Sequence, residues 1–194
     1  FIGLLALVIK TTLTSPNIIN IAAVIIFGIS LILLYSASAT YHLVVSSDNV
    51  IAFLRKIDHS MIFILIAGSY TPFCLIGLKG IIGWITFSVI STIAICGVLF
   101  KMIWFNCPRW ISTSIYIGMG WISIFIIVTL YNSIALGGIA LLVLGGILYT
   151  IGAVIYGLKP RALKFKNLGF HEIFHIFILL GSLAHFFAVF KYVI

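Results

Sequence analysis

An all-α integral membrane protein, a bundle of seven transmembrane helices, is the fold that the sequence predicts, and three observations predict it. Of 194 residues, 63% are hydrophobic and 7% charged, with a mean hydropathy of +1.35. A soluble domain could not cover its surface with so little charge. The apolar stretches recur at ~20 residues, the length that crosses a hydrocarbon core, and show no strand-like alternation, so helices are expected and a β-barrel is rejected. Finally, the ionisable residues that do occur gather at the ends of those stretches. No soluble domain or long linker is left over, and residues 1–194 read as one membrane domain.

The elements follow in order. Phe1–Ile9 reads as the tail of a truncated first helix rather than a signal peptide. Lys10–Asn17, with Pro16, is expected to be a polar turn. A second helix covers Ile18–Val45, and Ser46–Asn49 interrupts it. The third starts near Arg55 and runs to Leu78, bent at Tyr70-Thr71-Pro72 because proline removes a backbone donor. Gly80–Phe100 makes the fourth, followed by a connection holding Lys101, Asn106, Pro108 and Arg109. Trp110–Tyr131 is the fifth. A short turn at Asn132-Ser133 leads to the sixth, ending at Leu158. After a basic loop, Lys159–Lys166, the seventh covers Phe170–Val193.

A net charge of +8 would suggest nucleic acid as a partner for a soluble protein, but here it belongs to loops and orients the chain in a lipid bilayer. Loops after the even-numbered helices hold Arg55, Lys56, Lys101, Arg109, Lys159, Arg161, Lys164 and Lys166; the other side holds Lys10, Lys79 and Lys191. By the positive-inside rule the first group is cytoplasmic, which places the N-terminus in the cytoplasm and the C-terminus outside. Cys74, Cys96 and Cys107 are odd in number and lack CxxC spacing, so they read as buried structural thiols. Trp84, Trp104, Trp110 and Trp121 read as interface-belt and packing residues, and Gly145, Gly146, Gly152 and Gly157 as points of close helix approach.

This threading carries His42, at the end of the second helix, Asp58, at the start of the third, and His171 and His175, at the start of the seventh, to one membrane depth. Ionisable groups beside lipid cost roughly 3 kcal/mol each on insertion scales, so their gathering calls for a reason. His171 and His175 are four residues apart and project from one helix face. Such a pair can hold Zn²⁺ at about 2.0–2.1 Å, with His42 as third ligand and a fourth position left for water. Asp58 would serve that water as base or hydrogen-bond acceptor, and Ser38, one turn before His42, would orient it. The plainer readings are interfacial hydrogen bonding for the histidines and pairing of Asp58 with Arg55 or Lys56. His59 is expected to orient a neighbour, His185 to make an interhelical hydrogen bond about 15 Å deeper, and Glu172 to stabilise a helix's first turn.

Ser36-Ala37-Ser38-Ala39-Thr40-Tyr41-His42 resembles the S-A-x-x-x-Y-H stretch of bacterial hemolysin III proteins. The same resemblance holds for Asp58-His59-Ser60 with Ile66–Phe73, and for His171-Glu172-Ile173-Phe174-His175 with Gly181–Phe186. That family is similar to the progestin and adiponectin receptors and, more distantly, to alkaline ceramidases. The resemblance implies a seven-helix membrane fold with zinc near the cytoplasmic face. It also implies His42, His171 and His175 as ligands, Ser38 and Asp58 beside them, and a membrane lipid as substrate or ligand. Two functions lead, zinc-dependent hydrolysis of a lipid amide or ester and a cytolytic or receptor-like membrane protein with a structural zinc; a proton-coupled transporter using His185 and His59 is weaker, because no acidic relay crosses the bilayer.

Overall fold

Helix α1 (Ile2–Thr14) opens the chain and runs five residues past the predicted end at Ile9. The threonines that look like a polar turn are absorbed into it: Thr11, Thr12 and Thr14 donate their hydroxyls to the carbonyls of Leu7, Val8 and Lys10 at 2.8–2.9 Å. A hydroxyl satisfied four residues back needs no water, so the helix stops only at Ser15. Asn17 caps α2 (Ile18–Leu43), its side chain accepting from Ile19 N.

The computed structural model describes residues 1–78, 80–104, 107–159 and 169–194. Lys79 and Asn106, and the part of the expected basic loop with Arg161, Lys164 and Lys166, lie outside the described residues. Helices α3 (Asp48–Pro72), α4 (Gly80–Ile103), α5 (Arg109–Trp121), α6 (Ser123–Tyr131), α7 (Leu136–Leu158) and α8 (Phe170–Ala188) follow, with no strand among the described residues. Six stretches are long and apolar enough to cross a membrane, α5 and α6 together forming one of them; α1 is shorter. Large apolar side chains such as Phe125, 82% exposed, stand on the outer faces of these helices. A surface of that kind is solvated by acyl chains, and the fold is an all-α membrane bundle.

Two compact units divide the chain, Phe1–Asn106 with Ile194, and Cys107–Val193. In the first, α2 packs against α3 and α3 against α4. Gly68 marks a close approach of α2 and α3, because a side chain there would occupy the space of the Ser30 hydroxymethyl. In the second unit α7 and α8 form the main pair. Gly145 of α7 lies against the His185 ring and Gly152 against Phe177, whereas Gly146 has nothing within 4 Å and Gly157 makes ordinary contact with Thr113. Two of the four glycines expected at close approaches therefore hold them.

Several boundaries differ from expectation, each for a local reason. Helix α3 begins at Asp48 rather than near Arg55, since Asp48 supplies an acid to its first turn. Pro72 ends α3 with helical backbone angles and is followed by a π turn, Phe73–Gly77, with Leu78 N donating to Phe73 O at 2.8 Å. The expected single helix Trp110–Tyr131 is broken at Ile122, where Ser123 Oγ donates to Gly120 O at 2.8 Å. Lys101 is not in a connection; α4 continues to Ile103 and buries it, its aliphatic stem being long enough to pack within protein. Cys74 and Cys107 are buried as expected, but Cys96 is exposed on the outer face of α4. All four tryptophans are about half exposed or more, as belt residues should be.

Candidate metal centre

In the first unit the candidate residues lie on α2 and α3. Ser38 and His42 are one turn apart near the C-terminal end of α2, Ser38 buried and His42 exposed, its ring tilted on that of Tyr41 at 4.7 Å. Asp58 is not at the start of α3, as expected, but in the helix's third turn, about 15 Å from Asp48 at 1.5 Å per residue. The antiparallel register rescues its position. With Gly68 opposite Ser30, ten residues back along α3 and ten forward along α2 bring Asp58 level with Thr40, between Ser38 and His42. The first turns of α3 simply overhang the end of α2.

Asp58 is 6% exposed. It pairs with neither Arg55 nor Lys56; its Oδ2 is 3.3 Å from Nδ1 of His59, which also donates to Arg55 O at 2.9 Å. His59 thus lies beside the carboxylate while its Nδ1 proton is engaged by the backbone. Ser60, which sequence reasoning left without a role, is 1% exposed and its hydroxyl has no hydrogen-bond partner among the described residues. Only its place in the Asp58-His59-Ser60 run marked it.

In the second unit the candidate ligands lie in the first turns of α8. His171 Nε2 and His175 Nε2 are 3.1 Å apart, the rings nearly perpendicular at 89°. Two ligands at 2.0–2.1 Å in a tetrahedral shell around zinc have nitrogens about 3.3 Å apart, so the pair fits such an ion with almost no adjustment. Both rings are partly buried among aromatic groups, His171 beside Tyr156, Phe170 and Phe174 and His175 beside Phe174. Glu172 turns away from them and accepts from Gly169 N at 2.8 Å, capping the helix. His185, further along α8, donates from Nε2 to Leu142 O of α7 at 3.2 Å, a tie between helices rather than a ligand. His171 and His175 each offer an imidazole nitrogen to a metal ion from α8, and His42 offers one from the end of α2.

Fold and side chains together define a multi-pass, all-helical membrane protein that carries candidate metal-ligating histidines. The chain belongs to the haemolysin-III related family, whose model matches residues 1–186. It is 39% identical over 174 residues to the hemolysin-3 homolog of Bacillus subtilis (strain 168), covering 89% of this chain and 78% of that protein. Hemolysin-3 of Bacillus cereus is 41% identical over 177 residues, with 90% and 76% covered. A more distant likeness, 24% over 177 residues with 86% and 68% covered, is to the human monocyte to macrophage differentiation factor. Six membrane-length helices and these relatives make it a multi-pass protein of the cell membrane.

Proposed function

We propose that this chain is a zinc-dependent hydrolase of a lipid amide or ester, ceramidase-like in its chemistry. His42, His171 and His175 would hold the ion, and Asp58 and Ser38 would act beside it. The observation that carries the reading is the convergent 3.1 Å pair of imidazole nitrogens on α8. It is joined by a buried carboxylate placed level with the α2 histidine by the Gly68–Ser30 register.

Zinc would supply Lewis acidity, lowering the pKa of water from 15.7 to about 7. The remaining work falls to the chain's own groups. Asp58 takes a proton from the attacking water and returns it to the nitrogen or oxygen of the leaving group. His59, bonded to the carbonyl of Arg55, lies beside the carboxylate, and the Ser38 hydroxyl orients that carboxylate from α2. Apolar helix faces accommodate the acyl chain. With eight of the eleven cationic residues on one side, the centre faces the cytoplasm in a seven-helix threading. The test is turnover of ceramides and a broad panel of acyl lipids by purified protein, with and without zinc. A panel with no zinc-dependent product ends the proposal.

The names of the bacterial relatives favour a second reading, a cytolytic or receptor-like membrane protein in which the metal staples helices together. The spans carry no ring of charge at mid-membrane, which argues against a constitutive ion pore. Liposome leakage that persists in Asp58→Asn protein with its zinc intact would select this alternative.

A further inference from the structure

Three cations of the second unit have aromatic seats and no acid, and two of them, Arg109 and Lys159, sit on rings that border one imidazole. Arg109, the first residue of α5, holds its guanidinium carbon 5.4 Å from the centroid of the Tyr156 ring on α7. Lys159 closes α7 in a left-handed conformation, φ 47, and sets Nζ 5.7 Å from the centroid of Phe170 at the start of α8. Both rings border one imidazole: the centroids of Tyr156 and Phe170 are 6.1 and 6.4 Å from that of His171. Cation–π contact holds a positive charge in place while leaving its outward N–H donors available.

The only acid in residues 107–193 is Glu172, and its carboxylate is turned back onto Gly169 N. Among the described residues, the contact of Asp58 with His59 at 3.3 Å involves neither cation. Neither Arg109 nor Lys159 therefore has a protein counter-ion among them. Thr113, one turn along α5 from Arg109, adds a further unmet group: it is 6% exposed and its hydroxyl has no hydrogen-bond partner among the described residues. It lies against Gly157, the neighbour of Tyr156. Around this corner the surface is apolar, with Trp110 67% and Leu158 76% exposed. Cations at the end of membrane helices, rimmed by an interfacial tryptophan and lipid-facing leucine, match the phosphate of a lipid whose chains lie along the helices.

We propose that the corner formed by the ends of α5, α7 and α8 binds the phosphate of an anionic glycerophospholipid between Arg109 and Lys159, beside His171. A zwitterionic headgroup carries its own ammonium and offsets the attraction; a neutral diacylglycerol offers no anion. The site needs neither bound metal nor turnover, so it stands or falls separately from the hydrolase reading.

The experiment is native mass spectrometry of the full chain in neutral detergent, offered phosphatidylglycerol, phosphatidylcholine and diacylglycerol in equal amounts. Phosphatidylglycerol should be retained preferentially, and its affinity should fall roughly thirtyfold in Arg109→Gln/Lys159→Gln protein, two surface cations being lost. Lys191→Gln removes a cation seated on Phe187 elsewhere along the chain and should bind as wild type. A charge-preserving Arg109→Lys/Lys159→Arg swap should retain binding within about threefold, and it decides the matter if the double glutamine variant does not fold. Equal retention of phosphatidylcholine, undiminished binding in the double variant, failure of the swap to bind, equal loss in Lys191→Gln, or displacement by millimolar inorganic phosphate would each overturn the proposal.

Discussion

The Nε2 atoms of His171 and His175 stand 3.1 Å apart on successive turns of α8. At that distance one ring nitrogen can donate to the other, and aromatic neighbours pack against both rings. The separation is close to that of two ligands on a tetrahedral ion, and the first prediction rests on it.

Purified protein should carry about one zinc ion per chain, a tetrahedral all-nitrogen set favouring zinc over harder cations. His171→Ala, His175→Ala and His42→Ala should each lose most of it by elemental analysis, and an anomalous-scattering map should place the ion beside α8. Zinc content unchanged in these variants would remove the metal centre altogether.

Acidification should strip the metal. Ligand imidazoles must be neutral, so protons compete for the same nitrogens. The binding free energy is fully present above the ordinary imidazole pKa of about 6.5 and falls away as pH drops through and below it. Zinc occupancy measured from pH 8 to 4.5 should decline on the acid side only, and thermal stability should decline with it. Occupancy that is flat down to pH 4.5 would mean that histidines are not the ligands.

Asp58→Asn separates catalysis from structure. Loss of a general base should reduce turnover about 10²–10⁴-fold while zinc content and melting temperature stay near wild type. Ser38→Ala should give a smaller loss, because a hydrogen bond is removed and the carboxylate remains. If both variants hydrolyse lipid as wild type does, these residues have been given the wrong role.

Gly145→Ala would drive a methyl group into the ring of His185. Overpacking of this kind costs about 1–3 kcal/mol, to be read as a lowered midpoint of thermal unfolding in detergent. His185→Ala in the same chain should recover part of the loss by opening the space, although it gives up the bond to Leu142 O. Additive losses in the double variant would show that the two residues do not share that space.

Much of the site was legible in the residues alone. The four-residue spacing of His171 and His175 places them on one face of any helix, and Glu172 at the third position after Gly169 already marks a helix start. Such features depend on neighbours within one or two turns. The position of Asp58 was not legible in this way: the helix expected to start near Arg55 starts seven residues earlier, about 10 Å along the axis, and the level of Asp58 beside Ser38 and His42 comes from register. That register depends on Gly68 meeting Ser30, a contact between residues 38 positions apart that no local periodicity encodes. Lys101 and Ile122 were missed for a related reason, since burial of a lysine stem and a break between two apolar helices depend on what packs alongside.

By itself, then, the chain determined that it would be helical and lipid-solvated, because apolar length and unsatisfied backbone groups leave no other way through a bilayer. It also determined which side chains could carry chemistry, by scattering so few ionisable groups along so much hydrocarbon. Tertiary structure decided which of those groups share a level: small residues let α3 slide against α2 to one depth, and aromatic rings of α7 and α8 hold Arg109, Lys159 and His171 around one corner. Depth and neighbourhood are set by the closest approach of whole helices, a property that spacing within a single helix does not contain.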